Sequence, residues 1–227
     1  MSSLPVPRYE VLFQNQSNQV VSVALFQQMP IGAPQDTFTV AWLADIAAAT
    51  SDVAFQWSLA GPTGWEPTFN FFVVPTLIGA EPVSTPPSTS ANLTTSNEVT
   101  LSRAENGRYQ FSVPSPGPEY GTLYILVDSS VMQGEALVGI GMAGAPAFLV
   151  PARPNGSYSF TPTFDYFLIT APQGALQIGQ FLSPEEIQAG TAITFPPNVT
   201  QAWVTLNAAN VCTVTYTSPP PSAPLFY

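Results

Sequence analysis

The sequence predicts an all-β fold: an antiparallel β-sandwich, jelly-roll-like or alternatively a barrel, with one or two very short helices. Three observations point there. Twenty-five prolines and fifteen glycines cut the 227 residues into short apolar runs, the pattern of sandwiches and barrels. Several of these runs alternate apolar and polar residues at period two. Hydrophobic residues make up 45% of the chain and charged residues 8%, against roughly 25% charged in an average globular protein. That apolar content supplies a sizeable core without disulfide or metal and excludes chain-wide disorder.

The elements follow in order. Residues 9–13 and 20–26 are β-rich and flank Gln14-Asn-Gln-Ser-Asn-Gln19, which predicts a hairpin. Residues 38–42 form a strand after the turn residues 30–36, and the alanine-rich segment 43–49 is the best helical candidate. Residues 53–59 place Val53, Phe55, Trp57 and Leu59 on one face of a half-buried strand, and segments 69–74 and 77–78 continue the β pattern. The Ser-, Thr- and Pro-rich residues 81–97 read as a long surface loop. A strand resumes at 99–101, which argues against a domain boundary there. Residues 105–108 make a turn, 109–113 alternate cleanly, and 114–121 are another turn cluster. Strands follow at 122–127, 136–142, 147–150, 157–162 and 166–170, with 177–182 β-like. Ser183 as N-cap and Pro184 at the first helical position predict one helical turn. Strands at 192–195, 201–206 and 211–216 complete one domain over residues 1–217, and 218–227 form a Pro-rich C-terminal arm. About twelve to fifteen strands are too many for one flat sheet, so two packed sheets or a closed barrel are expected. No self-similar period marks a solenoid or propeller.

Charge narrows the function. Fourteen acids face four bases, Arg8, Arg103, Arg108 and Arg153, with no lysine and no histidine and a net charge of -10. No basic footprint exists for nucleic acid or an anionic membrane surface. Missing histidine removes the commonest general base and metal ligand, and missing lysine removes Schiff-base and P-loop chemistry. The single cysteine, Cys212, excludes an intrachain disulfide and a multi-cysteine zinc site, and its strand context reads as a small apolar side chain. The first residues carry neither a basic nor an apolar signal region, and no run reaches about 18 apolar residues. This predicts no membrane span, and a location in the cytoplasm or outside the cell by a leaderless route. Sequons at Asn15, Asn92, Asn155 and Asn198 are read as chance in a chain rich in Asn, Ser and Thr.

Gly139-Ile-Gly-Met-Ala-Gly144 matches G-x-G-x-x-G, but Pro146 and a β-rich run follow it. A dinucleotide site needs a helix there, so the glycines are read as close packing or a bulge between adjacent strands. Glu185-Glu186 and the pair Asp45 and Asp52 offer carboxylates, whose separation the sequence does not fix; no D-x-D-x-D-G calcium loop exists. Trp42 and Trp57 fall at core positions. Trp65 stands in the turn sequence Gly61-Pro-Thr-Gly-Trp-Glu-Pro67, where it either packs under its own loop or stacks on a sugar ring or a partner. Leu225, Phe226 and Tyr227 end the arm as an apolar triplet suited to docking onto a neighbouring subunit.

Several strings resemble the rhizosphere-induced RhiA-type proteins: Arg8-Tyr-Glu-Val-Leu-Phe-Gln-Asn-Gln-Ser17, Phe26-Gln-Gln-Met-Pro30, Val40-Ala-Trp-Leu-Ala44, Phe55-Gln-Trp57, Gly121-Thr-Leu-Tyr-Ile125 and Val138-Gly-Ile-Gly-Met-Ala-Gly144. Phe160-Thr-Pro-Thr-Phe-Asp-Tyr166 and Phe195-Pro-Pro-Asn-Val-Thr200 extend the likeness in collinear order over nearly the whole chain. The resemblance implies a leaderless, soluble bacterial or fungal protein, often under population-density or host-associated control. It brings no established activity and no catalytic residues.

The expectation is a non-catalytic protein without cofactor or metal that associates with itself as a homo-oligomer or with another protein, as a structural or assembly-forming component. Low surface charge and edges without lysine gatekeepers carry it. The alternative is a carbohydrate-binding, lectin-like module with Trp65 as its platform. A secreted toxin or a carboxylate-based hydrolase ranks below these.

Overall fold

The computed structural model describes residues 8–58, 68–76 and 87–217. In chain order the strands are β1 (Arg8–Asn15), β2 (Val21–Gln27), β3 (Phe38–Thr39), β4 (Leu43–Ala47), β5 (Asp52–Ser58), β6 (Phe69–Pro75), β7 (Ser88–Ala91), β8 (Glu98–Arg103) and β9 (Tyr109–Phe111). They continue with β10 (Leu123–Val127), β11 (Ala136–Met142), β12 (Ala145–Pro151), β13 (Ser157–Phe160), β14 (Tyr166–Pro172), β15 (Thr191–Ile193), β16 (Gln201–Leu206) and β17 (Cys212–Thr217). One helix, α1 (Pro184–Gln188), lies between β14 and β15.

The strands form four open sheets: sheet I in the order β17-β16-β1-β5, sheet II β15-β14-β2-β4, sheet III β3-β12-β11-β6-β7 and sheet IV β13-β10-β8-β9. The all-β expectation holds, and among the described residues no sheet closes into a barrel. Pairing is antiparallel except for β1 with β16 and β8 with β10, which run parallel.

The predicted hairpin at 14–19 does not form. β1 pairs with β16 and β5, whereas β2 pairs with β14 and β4, so residues 16–20 arch from one sheet to the facing one. Asn15, fully buried, holds this arch. Its Nδ2 donates to the carbonyls of Gln19 (2.8 Å), Ala47 (3.2 Å) and Ala48 (2.9 Å), and its Oδ1 accepts from the Ser17 N–H (3.0 Å) and Oγ (2.7 Å). Residues 43–49 are not helical either: Leu43–Ala47 is an edge strand registered against β2, because the sheet ladder outweighs alanine's modest helix propensity. Within the predicted loop 81–97, Ser88–Ala91 forms β7 against β6. Residues 177–182 contribute only a bridge, Val40 with Phe181. Helix α1 forms as expected, with Ser183 and Glu186 making a reciprocal capping box.

Sheets I and II form one unit, and sheets III and IV a second on the same plan. Strands β6, β7, β11 and β12 take the places of β14, β15, β2 and β4; β8, β9, β10 and β13 take those of β16, β17, β1 and β5. The single parallel pair falls at the same place in each. The counterpart hairpins match bond for bond. In one, Ala104 N–H donates to Arg108 O (2.9 Å) and Gly107 N–H to Ala104 O (2.8 Å); in the other, Asn207 N–H donates to Val211 O (3.0 Å) and Asn210 N–H to Asn207 O (3.0 Å). Gly107 and Asn210 are both left-handed, with φ of 81° and 59°. Sequence follows topology: Pro67-Thr-Phe-Asn-Phe-Phe72 parallels Pro162-Thr-Phe-Asp-Tyr-Phe167, and Met29-Pro-Ile-Gly-Ala-Pro34 parallels Met142-Ala-Gly-Ala-Pro146. The chain is therefore internally duplicated, as two units of matching strand order rather than a solenoid or propeller. Its first strands complete a unit that its last strands begin. Residues 35–40 have no counterpart, and they supply β3, which joins sheet III and stitches the units together. One apolar cluster draws side chains from all four sheets, among them Phe13, Leu25, Phe71 and Phe160.

Candidate functional site

Trp65, Leu225, Phe226 and Tyr227 lie outside the described residues, as do 77–78. The other singled-out features are placed. A Cβ on Gly139 would meet the Phe148 carbonyl oxygen at 1.8 Å, and one on Gly141 the Ala145 oxygen at 2.0 Å. The register of β11 on β12 shifts between Ile140 and Gly141. The glycine string is thus the close packing and bulge expected, between two strands rather than before a helix. Cys212 opens β17 half-buried, and burial pushes its thiol pKa up, partly offset by a hydrogen bond with Thr191; a thiol so placed is less reactive than a free one.

Two polar arrangements and one surface stand out. The first arrangement is internal. Trp42 and Trp57, both buried, converge with Tyr166 between sheets I and II, with ring centroids 5.0 Å apart for the tryptophans and 4.9 Å for Trp57 and Tyr166. Tyr9, Phe195 and Tyr216 extend the cluster outward. Gln27, opposite Tyr166 in the ladder, is buried as well. Gln27 Nε2, Trp57 Nε1 and Tyr166 Oη have no hydrogen-bond partner among the described residues. Burial drives the Tyr166 hydroxyl pKa far up; the nearby Trp57 N–H offsets part of this without reaching hydrogen-bond geometry.

The second arrangement is an open cleft of about 470 Å³ lined by Pro75, Thr76, Pro87, Arg103, Arg108, Tyr109 and Glu135, with Gly107 at its rim. The β8–β9 hairpin carries the arginines and the tyrosine. The arch from β10 to β11 carries Glu135, and Asp128 braces that arch by accepting from the Ser130 N–H (2.8 Å) and Oγ (2.5 Å). Ser130 Oγ in turn accepts from the Arg103 N–H (2.7 Å). Arg103 Nη1 meets Glu135 Oε1 at 3.2 Å and its Nε donates to Gly107 O (3.4 Å). Tyr109 Oη donates to the Glu135 carbonyl (3.2 Å) and lies 3.4 Å from Glu135 Oε2; Thr76 N–H also donates to that carbonyl (2.9 Å). Burial, then the Glu135 charge, raises the Tyr109 pKa, and Arg103 lowers it in part. The Arg108 side chain has no hydrogen-bond or ion-pair partner among the described residues. The chain's four arginines include two in this cleft. Residues 105–108 read in sequence as a turn, which they are; what the reading missed is that the turn aims its flanking arginines at one place.

The surface is a pair of sheet edges. β17 and β15 border sheets I and II on the same side, tied by the Thr194 N–H donating to Tyr216 Oη (3.0 Å). Neither strand carries a charge, and Val211, Thr213 and Thr215 are exposed. The opposite borders, β4 and β5, expose Asp45 and Asp52. Among the described residues no three Asp, Glu or Cys side chains converge as a metal would require, and no helix is long and apolar enough to cross a membrane.

Comparison with known proteins places these features in a family context. A family profile described as RhiA matches residues 6–217. A protein named RhiA from Rhizobium leguminosarum bv. viciae is 28% identical over 200 residues, covering 85% of this chain and 79% of that one. No solved structure matches the chain.

Proposed function

The chain belongs to the RhiA family, and on that footing we propose that it is a non-catalytic protein that associates with copies of itself, or with another protein, through the uncharged border of its first unit. The carrying observation is β17: six residues, Cys212–Thr217, paired on one side to β16 with no described strand on the other. An edge strand presents unpaired N–H and C=O groups, and soluble proteins blunt such edges with lysine or inward charge. This chain has no lysine, and its carboxylates guard β4 and β5 rather than β15 and β17. Addition of a strand from a second molecule satisfies the open backbone groups and covers Val211, which is 53% exposed. The absence of histidine and lysine from the sequence supports the non-catalytic part of the reading.

The test is sedimentation across a wide concentration range, for the wild type and for a Thr213→Lys, Thr215→Lys variant. These threonines are exposed, so the variant keeps the fold while placing charge on the edge. Concentration-dependent association in the wild type that the variant loses supports the reading. A wild type that stays monomeric at its solubility limit, or a variant that associates equally well, overturns it.

A further inference from the structure

The duplicated architecture offers an internal control for the arginine cleft. The matched hairpins put Leu206, Asn210, Val211 and Cys212 where the second unit has Arg103, Gly107, Arg108 and Tyr109. A cleft exists at the counterpart position too, lined by Thr170, Ala171, Glu186, Asn210 and Cys212 among others, but its volume is about 250 Å³. The 470 Å³ of the arginine cleft falls within the range of small-molecule sites, about 300–1,000 Å³, and the counterpart falls below it. The backbone frame common to both units belongs to the fold. The charged set belongs to one unit alone, and the sandwich plan does not require it.

The chemistry of that set is specific. Glu135 holds Arg103 and Tyr109 in place and is itself offset by the Arg103 charge, so the cleft's net charge is that of Arg108. A guanidinium without a protein partner presents a planar fork suited to a carboxylate. Beside it, Glu135 accepts hydroxyl protons and Arg103 offers donors, while the donors of Thr76 are taken by the Glu135 and Gly134 carbonyls; Pro75, Pro87 and the Tyr109 ring form apolar walls. An inorganic anion would pair with Arg108 but would meet the Glu135 carboxylate in the same cleft. A neutral sugar would leave Arg108 unused.

We propose that this cleft binds a small hydroxylated carboxylate of the sugar-acid class, with Arg108 taking the carboxylate and Glu135 and Tyr109 taking hydroxyls. The site is separate from the β17 border and independent of self-association. Ligand-observed saturation-transfer NMR and isothermal titration, with the full chain at neutral pH, test it with three probes: glucuronate, glucose and inorganic phosphate. Glucuronate binds and the other two bind at least about tenfold more weakly. Arg108→Ala, which removes no hydrogen bond or ion pair among the described residues, weakens glucuronate binding at least about tenfold without moving the thermal midpoint. Val211→Ala, at the counterpart position, leaves glucuronate binding unchanged. No response to glucuronate overturns the proposal, as does phosphate binding equally well or full retention of binding in Arg108→Ala.

Discussion

Single side chains settle much of this fold at its corners. Asn15 completes five hydrogen bonds while fully buried, so Asn15→Ala strands carbonyls of two turns at once. It lowers stability by about 3 kcal/mol, measurable by urea unfolding. The other sequon asparagines also have local roles: Asn155 and Asn198 take left-handed backbone, and Asn92 Oδ1 accepts from the Thr94 and Thr95 N–H groups. Their sequence context is a by-product of turn chemistry. Tyrosines set the alkaline limit. Burial raises the pKa of Tyr9, Tyr109, Tyr158 and Tyr166 from the ordinary 10.0. A hydroxyl that stays protonated in the folded state contributes stability in full below the unfolded value, and loses it as pH climbs toward the folded value. Urea midpoints are therefore level from neutral pH to about 9 and fall above about 10. Tyr166→Phe removes the largest share of that fall. It also deletes a buried hydroxyl with no described partner, so at neutral pH it leaves stability unchanged or raises it by about 1 kcal/mol.

At the scale of elements, period-two alternation located most strands within a residue or two, because each buries one face. What it could not give is the partner. Residues 9–13 and 20–26 look like a hairpin locally, yet buried Asn15 ties their connection to the β4–β5 turn and sends the second strand to the other sheet. Alanine in 43–49 is compatible with helix or edge strand, and the ladder to β2 decides. The glycine string was legible because Pro146 excluded the helix that the rival reading needed. Its packing gives a graded prediction: Gly139→Ala, whose Cβ would lie 1.8 Å from a backbone oxygen, costs at least about 3 kcal/mol. Gly144→Ala, with φ +79° and open space around it, costs about 1–2 kcal/mol. Thermal melts of the two variants separate steric exclusion from backbone preference. Ser183→Ala, which breaks the capping box, costs about 1 kcal/mol.

On the scale of the whole molecule, the duplication was visible in the sequence as the paired Pro-Thr-Phe and Gly-Ala-Pro strings, yet no single spacing revealed it. The units are permuted, with one of them split between the first and last thirds of the chain, and residues 35–40 break the register. The candidate cleft was illegible for a related reason: Arg103, Arg108 and Glu135 come together only when the β8–β9 hairpin meets the β10–β11 arch. Because β1 pairs directly with β16 and β2 with β14 inside their sheets, a cut between β5 and β6 leaves both fragments bound. Size-exclusion chromatography of protein nicked at a protease site introduced within 59–67 shows them co-eluting, and separation of the fragments would refute the shared-sheet architecture.

Phe69 and Phe164 occupy the same position in the two Pro-Thr-Phe strings, and their rings touch, with centroids 6.4 Å apart. A residue that meets its own counterpart is what an isologous dimer produces at its twofold axis. The seam between the units therefore has the local form of an isologous interface, joined here within one chain. Two units joined by one chain cannot separate on dilution. Within one chain the two units need not match residue for residue, and Arg103 and Arg108, which a symmetric dimer would carry twice, stand here once.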